Sequence, residues 1–338
     1  MENEMKVIGY RRSLPVDHAE ALIDIALPKP APQGRDLLVA VRAVSVNPVD
    51  FKVRLRAEPA NGEVKVLGYD ASGVVEAVGP DCTMFQPGDE VWYAGDIRRP
   101  GTNAEFHLVD ERIVGRKPKS IGFAAAAALP LTTITAWELL FDRLQVDRQH
   151  EAALLVIGGA GGVGSVLIQL ARRLTRLTII ATASRSESRD WCRELGAHHV
   201  VDHTGDLAAQ VTALVGPPIR YVAGLTHSDL HWPVITGLVA PQGKVALIDD
   251  PGPIDVRLLK QKSVSLHWEL MFTRSMFETP DIGEQGRLLG EAAAMVDRGE
   301  LRSTVNQSMG AVNAANLKQA HALLESGRAI GKITLEGF

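Results

Sequence analysis

A seven-residue turn near the middle of the chain, Gly158-Gly159-Ala160-Gly161-Gly162-Val163-Gly164, has the residue types and spacing needed to hold phosphate. Gly159, Gly161 and Gly164 form G-x-G-x-x-G between an apolar run and a helical pattern, the context that makes this motif specific. Glycine tolerates the tight turn and lets backbone approach a pyrophosphate, and it lets the following helix sit close to its sheet. Gly162, Val163 and Gly164 then open a helix whose first N–H groups lack intrahelical partners and attract an anion. In dinucleotide folds an acidic residue about twenty positions further on binds the ribose 2′-hydroxyl. Here that position is Ser184, followed by Arg185. A carboxylate would repel a 2′-phosphate, whereas arginine grips one with several donors. Such charge-assisted bonds are worth about 1.5–3 kcal/mol each, so the expected cofactor is NADPH rather than NADH.

Other chemistries find less support. Cys82 and Cys192 form neither a metal-ligand cluster nor a disulfide framework. His18, His107 and His150 lie near no Gly-x-Ser-x-Gly elbow, and Ser165 falls inside the phosphate turn, which argues against a hydrolase. With 36 basic and 40 acidic residues the net charge is −4 and no long run of either sign occurs, so neither a nucleic-acid nor a membrane surface is expected. The stretch from Met1 to Lys6 is polar, without a signal-peptide core, and the apolar stretch from Phe123 to Leu131 is too short to span a bilayer. The expected location is the cytoplasm.

The elements that must position these residues follow from periodicity. In the first third, Leu37–Val46, Gly73–Gly79, Glu90–Ala94 and Glu105–Val109 are strand-like runs between Gly, Pro and Asp turns, which predicts a compact, partly closed β domain. Thr132–Leu140 predicts a helix. Strands at Ala153–Ile157, Thr178–Thr182, His199–Asp202, Ile219–Val222, Lys244–Ile248 and Val264–Trp268 then alternate with helices at Ser165–Ala171, Glu187–Leu195, Leu207–Val215 and Trp232–Val239. That alternation predicts a doubly wound parallel sheet. Helical patterns at Gly286–Val296 and Ala314–Leu324 precede a closing strand, Lys332–Leu335, expected to return to the first domain because a lone strand needs a sheet to join.

Several ordered stretches resemble the medium-chain dehydrogenase/reductase superfamily, closest to its zinc-free quinone oxidoreductase and zinc-type alcohol dehydrogenase-like branch. They are Ser45–Lys52, Leu67–Val75, Gln86–Val91, Ala128–Trp137, the glycine turn and Gly331–Leu335. The resemblance implies an α/β fold in which a GroES-like catalytic domain (1–126, completed by 273–338) accompanies a Rossmann NADP-binding domain (127–272). It also implies an active site in the cleft between the domains and a homodimer. It puts Asn47 and Thr135 beside the nicotinamide, gives Lys332 a possible cofactor contact, and aligns His203 with an adenine-side aromatic. Lys52 matches a place where some quinone reductases carry tyrosine. Asn47 and Tyr69 stand near where the zinc enzymes carry a Cys and a His ligand. Neither suits zinc, so no metal is expected. Without an ion, a conjugated acceptor that spreads incoming charge onto oxygen is the favoured substrate, with Lys52 or Tyr69 as proton source. The expected activity is hydride transfer from NADPH to a quinone or an α,β-unsaturated carbonyl. The alternatives are an alcohol dehydrogenase or ketone reductase of the same fold, and an NADPH-binding sensor or structural protein.

Overall fold

The computed structural model describes residues 4–214 and 216–338. Met1, Glu2 and Asn3, at the start of the polar N-terminal stretch, and Val215 at the expected end of a helix, lie outside the described residues. The chain divides into two compact units, Met1–Ile134 with Phe272–Phe338, and Thr135–Met271.

The first unit begins with β1 (Glu4–Tyr10), β2 (Ile23–Pro28) and β3 (Asp36–Val46). The chain then turns into α1 (Pro48–Arg56), a helix that the sequence analysis did not identify. Its signals are nonetheless local. Asn47 is the N-cap, Pro48 fills the first turn where no N–H is needed, Asp50 sits at the positive end, and Arg54 and Arg56 at the negative end. Next come β4 (Lys65–Val66), β5 (Ala71–Val78), β6 (Glu90–Tyr93), β7 (Phe106–Asp110) and β8 (Val114–Arg116). Helices α2 (Phe123–Ala127) and α3 (Pro130–Trp137) follow, and α3 passes into a π-helical turn at Glu138–Arg143. Together they make a 21-residue apolar stretch from Phe123 to Arg143, longer than the Phe123–Leu131 run suggested and long enough by length and composition to span a membrane. Its most apolar window is 83% buried inside the protein, as expected of a core helix.

The second unit alternates as expected: β9 (Ala153–Ile157), α4 (Gly162–Leu174), β10 (Thr178–Thr182), α5 (Ser186–Glu194), β11 (His199–Val201), α6 (Leu207–Thr212), β12 (Ile219–Gly224), α7 (Ser228–Leu238), β13 (Lys244–Leu247) and β14 (Ser265–Trp268). The six strands are all parallel, in the order β11-β10-β9-β12-β13-β14. Every residue of β9 is buried, which explains its unbroken apolar run Ala-Leu-Leu-Val-Ile at the sheet centre.

The tail carries α8 (Thr273–Phe277), α9 (Glu284–Asp297), β15 (Val305–Ser308), α10 (Ala314–Glu325) and β16 (Lys332–Glu336). It returns to the first unit. Strand β16 pairs antiparallel with β3, Ile333 opposite Val46, inside a seven-stranded sheet ordered β15-β16-β3-β5-β6-β8 with β7 also on β3. A smaller sheet, β2-β1-β4, completes this unit. Ile333 and Leu335 join Val39, Val44, Leu67, Tyr93 and Leu317 in its apolar core. The second unit has its own core around Leu155, Val222, Trp232, Ile235 and Val245.

Candidate functional site

In the second unit, β9 runs straight into the glycine turn. Gly158 has φ +88°, a conformation costly for any residue with a Cβ. Its N–H donates to Thr182 Oγ1 at 2.9 Å and that of Gly159 to Thr182 O at 3.1 Å, which pins the turn to the end of β10. The three motif glycines are needed for different reasons. A Cβ on Gly159 would come within 2.8 Å of Ala181 Cβ, and one on Gly164 within 2.6 Å of the Gly158 and Gly159 carbonyl oxygens. A Cβ on Gly161 would meet only Gly158 O, at 3.6 Å. Gly159 and Gly164 therefore close the packing, while Gly161 caps α4 toward open space. That arrangement fits a pyrophosphate over the first N–H groups of α4, those of Gly162, Val163 and Gly164. Ser165 is used structurally: its Oγ donates to Gly161 O at 2.7 Å and accepts from Trp191 Nε1 at 2.8 Å.

Ser184 and Arg185 follow β10, with Arg185 as the N-cap of α5. The Arg185 N–H donates to Ser188 Oγ at 3.2 Å. Ser184 O accepts from Arg189 Nε and Nη2 at 3.2 and 2.8 Å, and Arg189 Nη2 also reaches Asp202 Oδ2 at 3.0 Å. Arg189 escaped the sequence reading; the available signal was its place four residues past Arg185, one turn along the same helix. His203 follows β11 and packs edge-on against His231, ring centroids 6.0 Å apart. Its Nδ1 is buried without a hydrogen-bond partner. Burial pulls its pKa below the usual histidine value, so the ring offers a neutral hydrogen bond rather than a charge.

In the first unit, residues far apart in sequence form a closed polar cluster. Asn47, Asp50, Asp70 and Lys332 are each at most 3% exposed. Asp50 accepts from the N–H groups of Asn47 (2.6 Å) and Gly68 (3.0 Å), and Gly68 has φ +104°. Asp70 accepts from Leu131 N at 2.8 Å, Asn47 Nδ2 at 2.8 Å and Lys332 Nζ at 3.0 Å. Lys332 Nζ also donates to Val46 O at 3.0 Å and to Asn47 Oδ1. All three ammonium donors are thus engaged, so Lys332, for which the resemblance implied a cofactor contact, instead orients Asn47 and neutralises Asp70. Burial pushes the Asp50 carboxyl up to about 7. Burial also raises Asp70, against the downward pull of Lys332 and Asn47.

Tyr69 lies between Gly68 and Asp70 in sequence and is 1% exposed. Its ring meets Phe272 edge-on at 5.4 Å, yet its hydroxyl is buried without a hydrogen-bond partner. Burial and the nearby negative charges of Asp50 and Asp96 drive its pKa well above 10, so the phenol keeps its proton. Lys52 is half-buried on α1, two residues past Asp50. Thr135 is buried on α3.

These residues do not fit a zinc ion. Asn47 Oδ1 and Asp70 are committed to an ammonium that would repel a cation, and Tyr69 resists ionisation. His107 is no substitute ligand. Its ring nitrogens contact Tyr93 Oη at 3.1 Å and Pro100 O at 3.0 Å, and burial pulls its pKa to about 4. Among the described residues no group of three or more His, Cys, Asp or Glu could hold a metal.

Two family signatures match the chain: the alcohol dehydrogenase GroES-like domain over residues 33–130 and the zinc-binding dehydrogenase domain over 195–335. A zinc-type alcohol dehydrogenase-like protein of Staphylococcus aureus is 38% identical over 339 residues, covering 98% of this chain and 99% of its own. The crystal structure of a candidate zinc-dependent alcohol dehydrogenase from Rhizobium etli superposes with a TM-score of 0.97 at 59% identity, over 99% of this chain and 98% of that one. A quinone oxidoreductase from Pseudomonas syringae superposes with a TM-score of 0.83 at 26% identity, over 98% and 99% of the two chains.

Proposed function

The chain belongs to the medium-chain dehydrogenase/reductase superfamily of oxidoreductases, and from that premise we propose that it is a zinc-independent, NADPH-dependent reductase of quinones or α,β-unsaturated carbonyls. The observation that carries this reading is the Tyr69 hydroxyl, a neutral donor buried without an acceptor beside a polar cluster that is closed on itself. A buried donor left unsatisfied is costly, and a substrate oxygen would relieve it.

A nicotinamide dinucleotide, when bound, supplies the hydride. The residues that would hold it are Gly159, Gly161, Gly162, Val163 and Gly164 at the pyrophosphate, Ser184 and Arg185 at the adenosine 2′-phosphate with His203 nearby, and Asn47 and Thr135 toward the nicotinamide. Tyr69, whose phenol keeps its proton, donates a hydrogen bond to the oxygen on which charge develops, and Lys52 is the candidate proton source. Lys332 and Asp70 hold Asn47 in one amide orientation. Without a Lewis acid, an acceptor that delocalises charge through conjugation is reduced more readily than a simple ketone. Trp268 and Leu270, 56% and 51% exposed at and just beyond the edge strand β14, support assembly as a homodimer, in keeping with a cytoplasmic enzyme.

A screen of NADPH oxidation across quinones, enals, enones and simple ketones tests the reading. Turnover of the conjugated acceptors is expected. Turnover confined to simple alcohols with NADP⁺ would make the protein an alcohol dehydrogenase, and tight coenzyme binding with no turnover would make it a sensor or structural protein. In the same assay R185A is expected to lower the NADPH-over-NADH preference in kcat/KM by about tenfold or more, the loss of one charge-assisted contact.

A further inference from the structure

Within the second unit, the glycine turn is braced by a residue that the proposed coenzyme contacts leave out. Helix α5 lays two neighbouring side chains against the turn and the start of α4. Cys192 packs at the turn itself, where a Cβ on Gly159 would lie 3.2 Å from its Sγ. Trp191, half-buried on the same helix, donates from Nε1 to Ser165 Oγ at 2.8 Å. Ser165 lies in the first turn of α4, and its two donors converge on a single acceptor. Its N and its Oγ meet Gly161 O at 2.9 and 2.7 Å. The next carbonyl within reach of the hydroxyl, Ala160 O, is at 3.5 Å.

Chemistry fixes the direction of this chain of bonds. An indole nitrogen donates and does not accept, so Trp191 occupies a lone pair of the Ser165 hydroxyl and leaves its proton for a carbonyl. Consecutive hydrogen bonds also polarise one another, so the bond received from Trp191 strengthens the one given to Gly161 O. The Gly161 carbonyl and the Gly162 N–H are the two ends of one peptide unit. That unit is planar, so holding the oxygen holds the N–H. It has a glycine on each side, which offers little resistance to rotation of the peptide plane. The other Gly-Gly peptide at the start of the turn, Gly158-Gly159, is clamped by Thr182 O through the Gly159 N–H at 3.1 Å. We propose that Trp191 is a positioning residue for the coenzyme: acting through Ser165, it fixes the Gly161-Gly162 peptide so that the Gly162 N–H stays aimed at the pyrophosphate. This rests on the reading of the glycine turn as a dinucleotide cradle and adds to it a residue that works through the turn.

The test is coenzyme binding to the full-length protein with no acceptor present. NADPH and NADH are each titrated calorimetrically into the wild type, W191F, S165A and the double variant. Phenylalanine keeps an aromatic ring in place and removes the N–H. The two coenzymes share the pyrophosphate and differ at the 2′-phosphate. W191F is therefore expected to raise both dissociation constants by the same factor, about three- to tenfold for one lost hydrogen bond, whereas R185A changes their ratio. Because Trp191 and Ser165 act in series, the double variant is expected to bind no more weakly than the weaker single variant. In the coenzyme-free protein, the Gly162 amide proton is expected to exchange with solvent faster in W191F than in the wild type. Unchanged affinity in W191F, or single losses that add in the double variant, would overturn the relay and leave the cradle standing. A wild type that binds neither dinucleotide would overturn the cradle, and the relay with it.

Discussion

At the scale of single residues, the polar cluster separates two roles that chemistry would otherwise confuse. Tyr69 has a hydroxyl with nothing to satisfy, so its removal leaves no partner stranded. Y69F is expected to melt within about a degree of the wild type, yet to lose about 10²-fold or more in kcat on the preferred acceptor, the typical contribution of one donor to a developing oxyanion. Thermal melts and steady-state kinetics on one preparation check both halves; unchanged kcat would remove Tyr69 from the stabilisation of the substrate oxygen. Lys332 is the reverse case. K332M leaves Asp70 buried without its cation and is expected to cost about 3–5 kcal/mol by urea denaturation, whatever its effect on turnover. Tyr69 was legible in the sequence only through resemblance, as an aromatic where a ligand was expected. The engagement of Lys332 was not legible at all, because Lys332 Nζ and Asn47 Oδ1 are 285 positions apart and meet only when β16 lies beside β3.

At the scale of elements, the glycine turn was the clearest feature of the sequence, since its signal is contained in seven residues and both flanks. The structure divides its glycines by what a methyl group would strike. G164A drives a Cβ into two carbonyl oxygens and is expected to lower Tm sharply. G161A adds a methyl in open space and is expected to keep Tm while weakening coenzyme binding, measured by fluorescence titration. Equal losses of stability in the two variants would contradict this assignment. Helix α1 shows how local signals are outweighed. Its nine residues have little amphipathic contrast, and Val-Asp-Phe-Lys-Val alternates like a strand. Only the Asn-Pro-x-Asp start betrays it. The strands of the second unit were easier to read, being continuous apolar runs that a doubly covered parallel sheet demands.

At the scale of the whole molecule, the parallel sheet and the return of the tail were both legible, the first from alternation and the second from a strand with no other partner. Strands β1, β2 and β4 went unread because they are short or carry polar residues on their outer faces. The reading as a metal-free member of a superfamily whose relatives carry zinc-type names also belongs to this scale. Purified protein is expected to contain no stoichiometric zinc by elemental analysis, and chelators to leave activity intact; one equivalent of tightly held zinc would refute the role given to Lys332. The closing strand has a consequence for biosynthesis. The second unit is contiguous and can fold while the ribosome is still working, but β3 waits for a neighbour that is translated almost three hundred codons later. A nascent chain halted before Lys332 would hold a finished dinucleotide cradle and an Asp70 lacking its counter-ion. Only a polypeptide translated through Lys332 closes the cluster, so a shorter product would keep the coenzyme cradle without a positioned Asn47.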